Sequence, residues 1–104
     1  MLVLNPHLLL LPFLFLLGFA NADWKLSISY ANGKQITAHG FRNSGCEVLA
    51  ISNSPVATFY LEGNINVDTV AFYTDTMCTA GEYKRGTGST NVSPDKYFKA
   101  YKTW

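Results

Sequence analysis

The sequence predicts a small, single-domain, all-β protein of about six to seven strands closed by one disulfide. Three observations carry that expectation. Trp24, Leu26, Ile28 and Tyr30 alternate with Lys25, Ser27 and Ser29, the two-residue period of a strand with one buried face. Short runs rich in β-branched and aromatic residues recur along the chain, separated by Asn, Gly, Ser and Pro. Cys46 and Cys78 are the two cysteines of the chain, and an intramolecular bridge between them is the default for an exported protein.

Export is read from the first 22 residues. Leu8 to Ala20 (LLLLPFLFLLGFA) carries no charge, and Ala20 and Ala22 place small side chains at −3 and −1 of a cleavage site. The run is short for a membrane span, which needs about 20 apolar residues and usually flanking Lys or Arg. Residues 1–22 are therefore expected to be a signal peptide and 23–104 a secreted β domain. A domain of this size buries a modest fraction of its surface. Its aromatics and a bridge closing a loop of about 33 residues offset that, the latter by about 3–4 kcal/mol.

The elements follow in order. Trp24 to Tyr30 is the first strand, and Asn32-Gly33 turns it tightly because both residues tolerate positive φ. Gln35 to His39 returns as the second strand, followed by a loop over Phe41 to Gly45. Cys46 to Ile51 forms the third and Val56 to Leu61 the fourth. Ile65 to Tyr73 changes phase, so it holds either a bulge near Asp68-Thr69 or two strand halves. Glu82 to Arg85 is a short strand, and Gly86 to Asn91 reads as a flexible loop. Ser93-Pro94-Asp95 looks like a helix start of one turn at most. Phe98 to Trp104 then alternates as an edge or closing strand. No solenoid-type repeat is visible.

Two stretches carry a resemblance. Phe72-Tyr73-Thr74-Asp75-Thr76-Met77-Cys78 and Phe98-Lys99-Ala100-Tyr101-Lys102 resemble Phe-Tyr-x-Asp-x-x-Cys and Phe-x-Ser-aromatic-Lys, respectively. These patterns recur in small secreted fungal proteins with a βγ-crystallin-like Greek-key fold. The resemblance covers mainly Val67 to Trp104, with Ala100 standing where the pattern has Ser. It implies a Greek-key sandwich and, for many members, a role as effectors of plant-associated fungi. Domains of the βγ-crystallin type also bind calcium through paired Asn/Asp residues followed by Ser or Thr. Of the second such motif only Asp95 matches here, and Lys96 and Lys99 stand where a hard cation needs oxygen. Asn64 to Thr69 matches better but has Ile65 in a ligand position, so no metal or other cofactor is expected.

Catalytic constellations find little support. His39 is the one histidine after the leader, and with both cysteines bridged it has no thiol or zinc-ligand partners. No Gly-x-Ser-x-Gly elbow or phosphate-cradling loop is present, and the seven acids are scattered. Charge is uneven instead. Residues 23–81 hold three basic and five acidic side chains, and residues 82–104 hold five and two. Lys84, Arg85, Lys96, Lys99 and Lys102 lie among Tyr83, Tyr97, Phe98 and Tyr101, and the five bases with Tyr97, Tyr101 and Trp104 form a candidate binding face for anionic partners. The same lysines also serve to defend a strand edge against aggregation. The expectation is a secreted monomeric, non-enzymatic binding protein of the fungal effector type, meeting a host protein or cell-wall component, with entry into host cells left open. No specific nucleic-acid motif is present. The alternative is a killer-toxin-like antimicrobial protein that touches membranes of competing microbes, for which the near-neutral total charge is unfavourable. Asn91-Val92-Ser93 is a glycosylation sequon, weakened by the Pro94 that follows.

Overall fold

A computed structural model of the chain describes residues 22–104. The expected leader therefore lies, except for Ala22, outside the described residues. Eight strands form: β1 Trp24–Tyr30, β2 Gln35–Gly40, β3 Glu47–Val48, β4 Val56–Glu62, β5 Val70–Tyr73, β6 Tyr83–Arg85, β7 Gly88–Lys96 and β8 Ala100–Thr103. They make two four-stranded antiparallel sheets, β2-β1-β4-β7 and β3-β8-β5-β6. The expected all-β sandwich is present, with one strand more than the sequence suggested.

The connectivity is Greek-key-like and repeats once. In the first half β1 and β2 form a hairpin and β4 returns to the other side of β1. In the second half β5 and β6 form a hairpin and β8 returns to the other side of β5. The third strand of each half crosses over: β3 pairs with β8 and β7 pairs with β4. Each half thus completes the other's sheet. Even the core pairs correspond, with Ile28 opposite Phe59 in one half and Phe72 opposite Tyr101 in the other. The repeat lives in topology and inward alternation, not in residue identity, which is why the sequence does not display it.

Alternation fixes the core. Trp24, Leu26, Ile28 and Tyr30 of β1 are buried, as are Phe59 and Leu61 of β4, and a register shift opposite Ser29-Tyr30 turns Val56 to the same side. From the other sheet come Val70, Phe72 and Tyr101, joined by Val67, Val92, Leu49 and Phe98. Phe72 sits at the centre, its ring centroid 4.6 Å from Phe59 and 5.3 Å from Phe98. Buried aromatic pairs of this kind add about 0.5–1.5 kcal/mol beyond the area they hide. Trp24 Nε1 donates to the Arg42 carbonyl at 2.8 Å, and its ring lies so close over Gly40 that a Cβ there would meet it at 3.0 Å.

Five expected elements take another form, each for a physical reason. The Cys46 to Ile51 strand shrinks to Glu47–Val48: the Leu49 amide still donates to the Lys99 carbonyl at 2.9 Å with its side chain buried, and no pairing with β8 is made beyond it. Ile65 to Thr69 is a loop rather than a bulged strand. The Asn64 side-chain oxygen accepts from the Asn66 and Val67 amides, fixing the turn and leaving Ile65 exposed. The expected loop at 86–91 and the helix start at Ser93 merge into β7, an edge strand. Pro94 is tolerated there because β7 detaches around it: Thr58 faces Asn91 but Val56 already faces Lys96. Finally, the last segment is no edge. β8 lies between β3 and β5, so Ala100, Tyr101 and Thr103 are buried.

Candidate functional site: a basic aromatic sheet face

Cys46 and Cys78 are bonded, with their Cα atoms 5.9 Å apart. The bridge ties the start of β3 to the loop that follows β5. Cys78 adopts φ 57°, and Asp75 holds the loop by accepting from the Thr79 and Ala80 amides and the Thr79 hydroxyl. Those bonds, the Thr79 hydroxyl first, hold the Asp75 carboxyl below the ordinary carboxylate range.

Register decides what becomes of the eight basic and aromatic candidates. Lys84 on β6 and Lys102 on β8 are both opposite Ala71 of β5, so all three side chains share one face of the sheet. That face is the outer one, since the neighbouring positions Phe72 and Tyr101 enter the core. Trp104, two residues beyond Lys102, returns to the same side. The Lys84 Nζ lies 5.1 Å and the Lys102 Nζ 5.7 Å from its ring. Trp104 is held in place by its backbone: its carbonyl accepts from the Asp68 and Thr69 amides, and its amide donates to Thr69. The small Ala71 between the lysines leaves the indole and two ammonium groups as the prominent features of this face.

The remaining candidates lie elsewhere. Tyr101 points inward and is 9 % exposed; burial, then the nearby Glu47 charge, raises its hydroxyl pKa. Lys96, Tyr97 and Lys99 belong to the end of β7 and the turn into β8, where Tyr97 is 60 % exposed. Arg85 shares the inward parity of β6, its guanidinium 4.1 Å over the Tyr83 ring and Nη1 donating to the Lys84 carbonyl. The structure therefore brings together Lys84, Lys102 and Trp104 and separates the other five.

Tyr73, the other outward residue of β5, is buried and donates its hydroxyl to Glu82 Oε2 at 2.8 Å. Burial, with the Glu82 hydrogen bond and charge behind it, pushes its pKa up to about 12. His39 pairs with Asp23 at 3.0 Å, and both side chains are well exposed to solvent. Asn64 spends its amide nitrogen on the Ala22 and Phe41 carbonyls as well as its oxygen on the turn, so the better of the two calcium-like motifs is engaged in structure. Among the described residues no group of three His, Cys, Asp or Glu side chains converges.

The candidate list passed over the outer face of the other sheet. Ser27, Ser29, Thr58, Tyr60, Ser89 and Asn91 stand there, and a hollow of about 300 Å³ lies among them. The available signal was the uncharged hydroxyl or amide residue at alternate positions of three strands: Ser27 and Ser29, Thr58 and Tyr60, Ser89 and Asn91. No protein-family model, curated protein or solved structure matches the chain.

Proposed function

We propose that the chain is an exported, non-enzymatic binding protein of the fungal effector type. In this reading it engages an anionic surface of a host protein or cell-wall component through Lys84, Lys102 and Trp104. One observation carries the reading: two ammonium groups from different strands converge on one indole ring, on the outside of a rigid sheet. An indole with two ammonium groups within about 6 Å of its ring offers an apolar contact beside concentrated positive charge. Such a surface suits a carboxylate- or phosphate-bearing partner that also presents an apolar edge. The leader-like N-terminus and the Phe72 to Cys78 motif support the exported, effector-type part of the reading.

Affinity capture from host extract with the oxidised 23–104 domain tests this, comparing wild type with Lys84→Glu/Lys102→Glu and with Lys96→Glu/Lys99→Glu. Partners lost in the first variant and kept in the second are expected. An identical set from all three proteins overturns the assignment.

A further inference from the structure

We propose that the outer face of the β2-β1-β4-β7 sheet is a second binding site, one that takes a neutral oligosaccharide, with Tyr60 as its platform. Cross-strand register lays down two rows. Thr37, Ser27, Tyr60 and Ser89 stand side by side in one. Gln35, Ser29, Thr58 and Asn91 stand side by side in the next. All eight are uncharged and carry a hydroxyl or an amide, although the chain has eight basic and seven acidic residues. The solvent face of an antiparallel sheet is ordinarily polar, but three further features set this one apart.

It is concave. Ser27, Ser29 and Thr58 on the central strands are half-buried at the hollow, whereas Tyr60 beside them and Gln35, Ser89 and Asn91 on the outer strands are exposed. The hollow of about 300 Å³ is at the lower end of small-molecule sites, which run from about 300 Å³ upward. It has an aromatic centre: Tyr60 is 46 % exposed on a strand whose neighbours Phe59 and Leu61 are locked in the core, so the ring stands on a rigid base. Its polar groups are also available. Among the described residues a single bond, Gln35 Nε2 to Ser29 Oγ at 2.9 Å, joins two side chains of this face.

These features select the ligand class. An ionic ligand would find no charged partner among these eight residues, and the charges of the adjoining row, Lys25 and Glu62, are of opposite sign and stand opposite each other. An aliphatic ligand would strip water from hydroxyls and offer nothing in return. A pyranose suits both demands, because one side of its ring is a C–H surface that stacks on an aromatic and its rim is hydroxyls that exchange hydrogen bonds. The occupant is a free neutral polysaccharide chain rather than a sugar on Asn91, which would itself fill the hollow.

The test titrates the oxidised 23–104 domain, with Asn91 shown by mass to be unmodified, against hexamers of β-1,3-glucan, cellulose, mannan and chitin, and against hexagalacturonate. Amide shifts read the site. Binding of at least one neutral hexamer with Kd below about 10 mM is expected. The shifts should centre on Ser27, Thr58, Tyr60 and Ser89 and persist at about 0.3 M salt. Tyr60→Ala should weaken binding at least about tenfold. Ser89→Lys, at an exposed edge position, should weaken it severalfold and carries the test if Tyr60→Ala does not fold. Silence with every neutral hexamer, shifts centred on Lys84 and Lys102, or unchanged affinity in the folded variants overturns the proposal. So does salt-sensitive binding of hexagalacturonate at this face. The outcome is independent of the lysine-flanked indole on the opposite sheet.

Discussion

Replacing Cys46 and Cys78 together by serine removes the covalent tie while leaving nearly every packing contact in place. The two cysteines are 32 residues apart in sequence. Loop-closure entropy for a tie of that span corresponds to about 3.7 kcal/mol at 25 °C, released to the unfolded chain when the bond is absent. Little is lost from the native side. Cys46 is exposed and Cys78 half-buried, and neither belongs to the apolar core. The adjoining strand retains a second anchor, because Ser44 and Thr103 exchange two bonds of 3.0 Å, amide to hydroxyl in each direction. The fold should therefore survive without the bridge but with much smaller reserve. For a domain of this size each kcal/mol is about 4–8 °C, so Tm should fall by about 15–30 °C. Calorimetry and urea unfolding of oxidised wild type, reduced wild type and the double variant measure it. The last two should agree within about 1 kcal/mol, and their m-values should exceed that of the oxidised protein because the untied unfolded chain exposes more surface. A loss under about 1 kcal/mol, with m unchanged, would refute the entropic reasoning.

Three other perturbations probe different terms. Tyr30 is buried and its hydroxyl has no partner among the described residues, so Tyr30→Phe should be neutral or raise stability by up to about 1 kcal/mol in urea unfolding; a loss above that would show a hidden bond. Gly33 and Gly81 both have positive φ, 88° and 64°, but a Cβ at Gly33 meets open space whereas one at Gly81 strikes the Thr74 side chain. Gly33→Ala should cost about 1 kcal/mol and Gly81→Ala at least about 2 kcal/mol more, and equal costs would show that only backbone strain operates. Tyr73, with its pKa raised to about 12 from an ordinary 10.0, favours the folded state while neutral. Its contribution is complete below pH 10 and is lost as pH rises through 12, so Tyr73→Phe should flatten the alkaline limb of the stability profile, and an unchanged limb would rule it out.

The strands with strong alternation and clear turns were legible. Trp24 to Tyr30 forms as the pattern indicates, because a two-residue period has one way to hide its apolar side; Val56 to Leu61 also forms, but with a register shift after Val56, and the chain turns at Asn32-Gly33 with positive φ at Gly33 alone. Ile65 to Tyr73 was misleading, since the apolar Ile65 and Val67 suit a strand, yet the Asn64 side chain captures two amides and makes a turn. Ser93-Pro94 reads as a helix cap only in isolation; β4 offers β7 a ladder on one side, and a local detachment accommodates the proline. The candidate site was legible as composition and not as geometry. Five bases among aromatics are visible in the last 23 residues, but Tyr101 belongs to the core and Arg85 to the inward side of its strand.

By itself the sequence determined the class of fold, the cysteine pair and the buried side of the first strand, because each depends on neighbours along the chain or on there being one partner to choose. The tertiary structure alone decided the exchange of third strands between the halves, the convergence of Lys84 and Lys102 on Trp104, and the uncharged hollow around Tyr60. Those arrangements depend on which strand is placed beside which and in what register. That choice is made by packing energy summed over the whole core, which no local pattern of residues contains.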